Sequence, residues 1–288
     1  MIDLHMHTNY SDGTDTLKEL LRKANEKSLE VISITDHNTC IAYEEMEKFN
    51  VLDYFKGNII VGCEFTTSFD NQLIEILGYE IDYNVVNEYM NNYYNKEFNI
   101  ESNFKIYVRL IKKIIELKLI CDFENVKIGN SILIGIYNEL AKNQENKNIL
   151  NEDVFNSYSD FYRKALANPN SKLFLNFPEF KPSLKEIVNL IHTAGGKAFL
   201  AHPYQYKLEN TEEFLNKIYD EFNLDGIECF YTTFTNGQTN YLINFAKMRN
   251  LLISGGSDYH GANKKQHELG IGKGNLNISK EIISNWDL

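Results

Sequence analysis

The sequence predicts an α/β fold in which strands alternate with helices and a mostly helical segment interrupts the alternation. Short apolar runs and amphipathic helical patterns alternate in residues 1–84 and again in residues 182–288, which is typical of βαβ units and a parallel sheet or barrel. Metal-binding types of side chain follow the ends of most of these runs. Residues 85–181 keep helical spacing but contain no such run. The 288 residues suffice for one domain with an insertion.

The chain opens on a short strand that ends in two histidines. Ile2 and Leu4 form the apolar face of this strand, whereas His5 and His7 share one direction because side chains two residues apart point the same way. Asp12 follows in the turn Ser-Asp-Gly. Two imidazoles beside a carboxylate suit metal ions. Alone, the pair does not establish a site, because His-x-His pairs occur by chance.

The next helix and strand continue the alternation. Thr16 and Glu19 form a capping box at the start of a helix, and a strand over residues 31–35 ends in Asp36 and His37. His37 lies where a strand should end, so we predict a metal ligand rather than a hydrogen-bonded core histidine. Asp36 either orients such a ligand or is an ordinary turn aspartate.

Two glutamates accompany the third and fourth predicted strands. Glu64 follows the apolar run 59–63 and has no cationic partner nearby in the sequence. Burying a lone carboxylate is costly, so a bound metal explains it better than a packing role. Glu75 lies inside the run 73–79, where a solvated strand face competes with a role as ligand.

The predicted insertion, residues 85–181, differs in character from its flanks. Helical spacing covers residues 104–115, and residues 143–148 have the composition of a polar connector. We expect a mostly helical unit of the size of a small domain that selects the substrate. Arg163 and Lys164 are candidates for phosphate contacts.

The strand–helix alternation then resumes. Ser183 and Glu186 repeat the capping box, and the strand over residues 197–201 leads directly to His202. His202 therefore has the same position relative to its strand as His37, and we predict it to be a ligand. His192 points off the apolar face of the intervening helix, so we predict a surface histidine.

The last two of seven predicted strands cover residues 226–229 and 251–256. Asp258 and His260 follow the final strand and repeat the spacing of the opening histidines. A ligand pair competes there with a glycine-flanked surface turn.

Further residues are candidates for substrate contacts. Lys207 and His267 are candidates for phosphate, and Tyr204 belongs to a group of aromatic residues that follow two strand ends. These aromatic residues either stack on a nucleobase or pack at the rim of the sheet. The group comprises Tyr204, Tyr206, Phe230, Tyr231 and Phe234.

The overall composition excludes some classes of protein. A formal net charge of −11 argues against binding of duplex DNA through many phosphates. The four cysteines lack CxxC spacing, which indicates reduced thiols in a cytoplasmic protein. No apolar run approaches the ~18 residues that span a bilayer, and His5 is too close to the first residue for a signal peptide. We therefore expect no membrane partner; the oligomeric state is not indicated.

Five motifs together resemble those of the PHP (polymerase and histidinol phosphatase) superfamily. Within it, the chain is similar to the TrpH-like metal-dependent phosphoesterases, over about two-thirds of its length. The resemblance implies a distorted seven-stranded (β/α)7 barrel of PHP type with a mostly helical insertion. The motifs are HMHTNYSDG (5–13), TDH (35–37), GCE (62–64), AGG…AHP (194–203) and GGSDYHG (255–261).

The resemblance also implies three divalent metal ions, drawn from Mn, Zn, Fe or Mg. The family usually has a histidine where this sequence has Glu75. A carboxylate there still ligates and favours harder ions such as Mn²⁺ or Mg²⁺. The implied ligands are His5, His7, Glu64 and Asp258 for the first ion, Glu64, His202 and Glu75 for the second, and Asp12, His37 and His260 for the third.

The activity implied by the resemblance is hydrolysis of phosphate esters of nucleotides or short oligonucleotides. Substrates would be 3′,5′-bisphosphonucleosides or the 5′ ends of RNA fragments, attacked by a metal-bridging hydroxide. We predict His202, Asp258 and His260 as catalytic residues, with either histidine or a metal-bound water protonating the leaving alkoxide. The alternatives are a small-metabolite phosphatase, such as one for histidinol phosphate, and a non-catalytic metal-stabilised binding module.

Overall fold

A computed structural model describes residues 1–70, 72–94, 96–126, 132–168, 170–175, 181–206 and 208–286. The chain separates into two compact units. The first comprises Met1–Asn92 and Lys181–Leu288, and the second comprises Tyr93–Phe180. Strands and helices alternate in the first unit, so the α/β class is confirmed. That residues 85–181 select the substrate stays a prediction.

The described part of the first unit contains eight strands in two sheets. The first sheet is parallel, in the order β1-β2-β3, and the second has the order β4-β5-β6-β7-β8. The strands are β1 (Ile2–Asp3), β2 (Val31–Ile32), β3 (Asn58–Ile59), β4 (Gly62–Phe69), β5 (Gln72–Tyr79), β6 (Lys197–Leu200), β7 (Gly226–Tyr231) and β8 (Leu252–Gly256).

Of the predicted seven-stranded (β/α)7 barrel, only the α/β class is confirmed. No closed barrel is found among the described residues, and the run predicted as the third strand divides into β3 and β4. β5 runs antiparallel to both β4 and β6. Only residues 70–71 join β4 to β5, and so short a connection permits a hairpin but no parallel crossover.

The helices begin where the sequence supplies capping side chains. Both predicted capping boxes, Thr16 with Glu19 and Ser183 with Glu186, are confirmed. A further one occurs at Thr235. The α-helices are α1 (Leu17–Glu26), α2 (Ile41–Met46), α3 (Tyr83–Tyr93), α4 (Lys96–Glu116), α5 (Ile132–Ala141), α6 (Gln144–Leu150), α7 (Tyr158–Asp160), α8 (Leu184–Thr193), α9 (Thr211–Glu221) and α10 (Asn236–Arg249).

Short turns of other helix types complete the described secondary structure. Two of them, after β6 and after β8, directly follow residues that were predicted as ligands. A π-helical turn covers Phe161–Leu166. The 3₁₀ turns are Val51–Asp53, Phe123–Asn125, Glu152–Phe155, Pro203–Tyr206, Gly261–Lys264 and Lys280–Ile283.

The described elements of the second unit are helices and short helical turns, and the prediction of a polar connector over residues 143–148 is wrong. Most of this segment belongs to α6, because the Asn143 side chain caps the helix by accepting from the backbone N–H of Glu145. Asn146 is fully buried and still satisfied, since its side chain bonds the backbone N–H and C=O of Ile120. Composition therefore gave the wrong assignment where side-chain capping decided the structure.

An aromatic cluster closes part of the core of the first unit. Trp286 is completely buried, with its ring centroid 4.8 Å from that of Phe199 and 5.1 Å from that of Tyr79. These rings lie in the same apolar cluster as Ile2 and Leu4. The interior that supports the opening strand thus depends on a residue near the other end of the chain. Among the described residues, no helix has the length and apolarity to cross a bilayer.

We expect Trp286→Ala to lower the free energy of unfolding by about 3–5 kcal/mol, since truncating a buried tryptophan removes transfer energy and leaves a cavity. Urea unfolding followed by circular dichroism measures this. Met248→Ala is the control, because Met248 is 78% exposed and its loss should change stability by less than ~0.5 kcal/mol. Equal effects of the two variants would contradict the assigned core.

Candidate metal centre

Nine His, Asp and Glu side chains converge in the first unit, and they are the nine predicted metal ligands. They form four overlapping groups in which the possible donor atoms all lie within 4.8 Å of one another. The structure therefore brings together residues that are up to 255 positions apart in the sequence (His5 and His260). The groups are His7, Asp12, His37 and His260; His5, Glu64 and His202; His5, His7 and Asp258; and His37, Glu64 and Glu75.

Backbone pairing just beyond the strand ends aligns these side chains. After β1 and β8, Asp258 N–H donates to the carbonyl of His5 (2.8 Å) and His7 N–H to that of Tyr259 (2.9 Å). The two His/Asp motifs are thereby locked side by side. Beyond β2, His37 forms a parallel bridge with Glu64. The polar side chains thus extend from the ends of neighbouring strands, as strand-end sites generally do.

Glu64 lies at the centre of the cluster. Its Oε2 is 3.3 Å from Nε2 of His5, 3.3 Å from Nε2 of His7 and 3.2 Å from Nδ1 of His37. Its Oε1 is 2.9 Å from Nε2 of His202. Because its carboxylate is only 1% exposed, its charge faces these imidazoles rather than water.

Asp258 divides its two oxygens between different kinds of partner. Oδ1 faces imidazoles, 3.5 Å from Nε2 of His5 and 3.4 Å from Nε2 of His7. Oδ2 accepts from the Tyr231 hydroxyl and from Nζ of Lys264, each at 2.6 Å. One oxygen therefore faces the histidine cluster, and the other is fixed by two donors.

Asp12 and Glu75 lie at the more exposed side of the cluster. Oδ1 of Asp12 is 3.0 Å from Nε2 of His260 and 3.7 Å from Nε2 of His37. Glu75 approaches His202, with Oε2 3.3 Å from Nε2, and His37, with Oε1 3.7 Å from Nδ1. Glu75 thus faces the histidines, although 27% of its side chain is exposed.

The nitrogen atoms of the cluster fit divalent cations. Within the described chain, Nε2 of His5, His7 and His260 is buried without a hydrogen bond, yet each faces a carboxylate oxygen 3.0–3.5 Å away. Ligand atoms bound about 2.1 Å from a tetrahedral ion lie about 3.4 Å apart. Two ligand atoms of one cation lie at such a separation without forming a hydrogen bond to each other. The N/O donor set suits Zn²⁺, Mn²⁺ or Fe²⁺.

Opposite charges in the cluster shift the ionisation of its members. Burial alone would raise the pKa of Glu64, but the rings of His5 and His37 outweigh this and hold it well below the usual range. Burial would lower the pKa of His7, but the facing carboxylates of Asp258 and Glu64 raise it to about 9. Burial and the neighbouring His7 lower the pKa of His260 to about 4. The carboxylates therefore draw positive charge, which bound cations would supply in place of protons.

Asp36 supports the cluster from outside. Its carboxylate is buried and accepts from the backbone N–H of Thr8 (2.8 Å) and from the hydroxyl of Ser11 (2.5 Å). Ser11 Oγ in turn lies 3.5 Å from Nδ1 of His7. Of the two interpretations left open by the sequence, bracing of the ligand-bearing turn agrees better with these contacts than an ordinary turn aspartate.

Sequence reasoning missed two residues of the centre. Glu228 is fully buried on β7 and contacts His5 and His202. In the sequence, Glu228 is a carboxylate inside an apolar run, which is the feature by which Glu75 was selected as a candidate. Lys264 contacts Asp258, and the only signal was a cation three residues after the last motif.

The remaining candidates differ in where they lie. Nδ1 of His267 is 3.0 Å from the Ser257 carbonyl and 3.8 Å from Oδ2 of Asp258, at the edge of the centre. Lys207 lies outside the described residues. Arg163 and Lys164 belong to the second unit, where Nζ of Lys164 is 3.0 Å from Oδ2 of Asp153. The roles of Arg163, Lys164 and Lys207 stay predictions.

Packing accounts for most of the aromatic group. Tyr231 and Phe234 are buried, and the Tyr206 hydroxyl accepts from the backbone N–H of Glu75 (3.0 Å) and donates to the Ala201 carbonyl (2.7 Å). Tyr204 is half-buried and packs edge-on against Phe234, with centroids 5.4 Å apart. Tyr206 therefore fixes the backbone that carries Glu75.

His192, predicted as a surface histidine, has 31% of its side chain exposed and pairs with Asp225. Its Nε2 lies 2.7 Å from Oδ2 of Asp225, and the same oxygen accepts from the backbone N–H of Ala198 (2.7 Å). The histidine is half-buried and ties α8 to the loop before β7.

Comparisons with known proteins indicate the family and the fold of the chain. Residues 3–254 match the PHP domain family. The chain is 26% identical to the 5′-3′ exoribonuclease Rnm of Escherichia coli, over 90% of this chain and 84% of that protein. It is 23% identical to the phosphoribosyl 1,2-cyclic phosphate 1,2-diphosphodiesterase of Eggerthella lenta, over 90% and 94%. A predicted metal-dependent phosphoesterase from Bifidobacterium adolescentis has a similar fold, with a TM-score of 0.66 and 22% identity over 98% of this chain and 93% of that one.

We expect Glu64→Gln to lose most of the bound metal, because the amide removes the charge that faces four imidazoles. Elemental analysis of protein purified and dialysed under identical conditions measures metal per chain. Glu268→Gln is the matched control, since Glu268 is exposed and its salt bridge is to Lys27, at 3.5 Å. Unchanged metal content in Glu64→Gln would contradict a ligand role for Glu64.

Proposed function

Because the chain belongs to the PHP domain family and is a metal-dependent phosphoric ester hydrolase, we propose that it hydrolyses phosphate esters of nucleotides or short oligonucleotides. The substrates we propose are 3′,5′-bisphosphonucleosides and the 5′ ends of RNA fragments. The observation that carries the proposal is the convergence of nine ligand-type side chains, with Glu64 at their centre.

We propose that three divalent ions bind there, with Glu64 shared between two of them. Bound ions of this kind activate water and neutralise charge on phosphoryl oxygens. Glu75, a carboxylate among histidines, favours Mn²⁺ or Mg²⁺ over softer ions. The proposed sets are those stated above: His5, His7, Glu64 and Asp258; Glu64, His202 and Glu75; and Asp12, His37 and His260.

The chain's own residues would bind and orient the phosphate ester. Lys264 places an ammonium group 2.6 Å from Oδ2 of Asp258, so a phosphate oxygen at the centre would meet a fixed positive charge. His267 lies beside it. We propose His202 and His260 as the groups that move a proton to the leaving oxygen, and Asp258 as the group that fixes Lys264.

Two features support a ribose phosphate as substrate. The relatives are named for a 5′-3′ exoribonuclease and for a phosphoribosyl cyclic phosphate diphosphodiesterase; both names describe esters of ribose phosphates. The net charge of −11 disfavours long nucleic acids, whose binding requires a basic surface. The Eggerthella lenta relative also supports a second candidate, a small sugar phosphate.

We further propose that the two sheets belong to the distorted seven-stranded barrel of the family. Supporting hydrogen bonds connect the sheets at both edges: Leu4 N–H donates to the Gly255 carbonyl (3.1 Å), and Glu64 N–H donates to the Asp36 carbonyl (3.3 Å). If β3 and β4 count as one continuous strand, the number of strands is seven. An experimental structure with an open gap between β1 and β8 would contradict this arrangement.

We expect the protein with Mn²⁺ to release mononucleotides from a short 5′-phosphorylated RNA and orthophosphate from 3′-phosphoadenosine 5′-phosphate. The two substrates should be assayed beside a cyclic ribose phosphate and histidinol phosphate, with chromatography of the products. Glu64→Gln is the inactive control. Hydrolysis of histidinol phosphate alone would replace the proposed substrate class, and no turnover by the fully metallated protein would refute the activity.

We expect Lys264→Met to raise KM for the phosphate ester roughly 10- to 100-fold, because a hydrogen bond to a charged group contributes about 1.5–3 kcal/mol. Steady-state kinetics and metal analysis are measured together. Lys265→Met is the matched control, since Lys265 is the exposed neighbour. Loss of metal with unchanged KM would show that Lys264 serves Asp258 rather than the substrate.

A further inference from the structure

Glu228 is a fully buried carboxylate that contacts the metal centre without facing its interior. It lies on β7, between β6 and β8 in the sheet. Oε1 is 2.9 Å from Nδ1 of His5, and Oε2 accepts from the backbone N–H of His202 at 2.8 Å. Each oxygen thus serves a different proposed ligand, and the two ligands follow different strands.

The contact with His5 decides which nitrogen of the ring carries a proton. A carboxylate can only accept, so Nδ1 must donate to Glu228. In the neutral ring Nε2 then presents its lone pair, and this nitrogen faces Glu64 at 3.3 Å and Asp258 at 3.5 Å. Glu228 therefore selects the ring form that binds a metal through Nε2, as outer carboxylates do for metal-bound histidines.

The contact with His202 stabilises a strained backbone. His202 has φ of +23°, in a region that costs a residue other than glycine about 1–3 kcal/mol. The strain arises where the chain leaves β6 and enters the turn Pro203–Tyr206. The hydrogen bond from its N–H to Glu228 supports this conformation, which directs the ring toward Glu64.

We propose that Glu228 is a positioning residue that fixes the His5 tautomer and the His202 turn together, so that the two ligands take up metal as one unit. The inference rests on the proposed metal centre, but it does not require any particular substrate. Glu228 is not itself a ligand in this proposal, because both of its oxygens are engaged by donors from the protein.

The test is Glu228→Gln, which keeps the shape but has one oxygen and one NH₂ group. The amide can accept from either His5 or His202, and its NH₂ group then faces the other donor. We expect the affinity for Mn²⁺ and Co²⁺, measured by titration of the metal-free protein, to fall 10- to 100-fold. The absorption spectrum of the Co²⁺ protein should also change, since the His5 ligand field changes.

A matched control exists at Asp225, the residue that precedes β7. Asp225 also joins a histidine ring to a backbone N–H of β6, with Oδ2 2.7 Å from Nε2 of His192 and 2.7 Å from the nitrogen of Ala198. Asp225→Asn should lower thermal stability as much as Glu228→Gln but leave the metal affinity unchanged. Equal loss of affinity in both variants would overturn the proposal, because Glu228 would then act only through general stability.

A second measurement does not depend on the variant folding. Long-range ¹H–¹⁵N spectra of the Zn²⁺-loaded wild-type protein should show His5 protonated at Nδ1, and protonation at Nε2 would overturn the inference. Metal binding that depends on Glu228 without hydrolysis of any phosphate ester would refute the proposed function alone. Hydrolysis with a Glu228→Gln variant of normal metal affinity would refute this inference alone.

Discussion

A carboxylate buried among imidazoles is the constraint on which the candidate site depends. Removing Glu64 from water costs several kcal/mol unless its charge is matched, and the four facing nitrogens of His5, His7, His37 and His202 match it only with protons or cations. The strands whose ends carry these histidines must therefore converge. The same requirement explains why the opening segment is locked to the segment after β8 by backbone hydrogen bonds rather than by side chains alone.

A second layer of polar groups surrounds this charge, and each of them holds a particular part of the site in place. Asp36 fixes the turn that carries Asp12, Tyr206 fixes the backbone of Glu75, and Glu228 engages His5 and His202. Most of these contacts reach the backbone, where a hydrogen bond restrains the direction of a whole side chain. Such a layer explains how a site assembled from distant parts of the chain attains the narrow spacing that a metal requires.

The side chains that converge could be predicted because the end of a strand can be recognised in the sequence from the end of an apolar run. His37 and His202 each follow such a run directly, and all nine predicted ligands converge in the structure. The antiparallel direction of β5 could not be predicted from the residues of the strand, because it depends on the short connection to β4. Glu228 was missed because its contacts with His5 and His202 join different strands and leave no pattern in the sequence. The helix α6 was missed because capping by Asn143 outweighed a polar composition.

The antiparallel direction of β5 has a consequence for how such a centre diverges during evolution. Glu75 approaches His37 and His202 from the middle of a paired strand, whereas most other members of the cluster lie in segments that follow strand ends. Its backbone pairs with β4 through a ladder that persists whatever side chain it bears. A mutation at this codon therefore exchanges a donor atom without rebuilding a loop. With Glu75 as a ligand, a substitution at position 75 would change the preferred metal while the pairing of β5 stays in place.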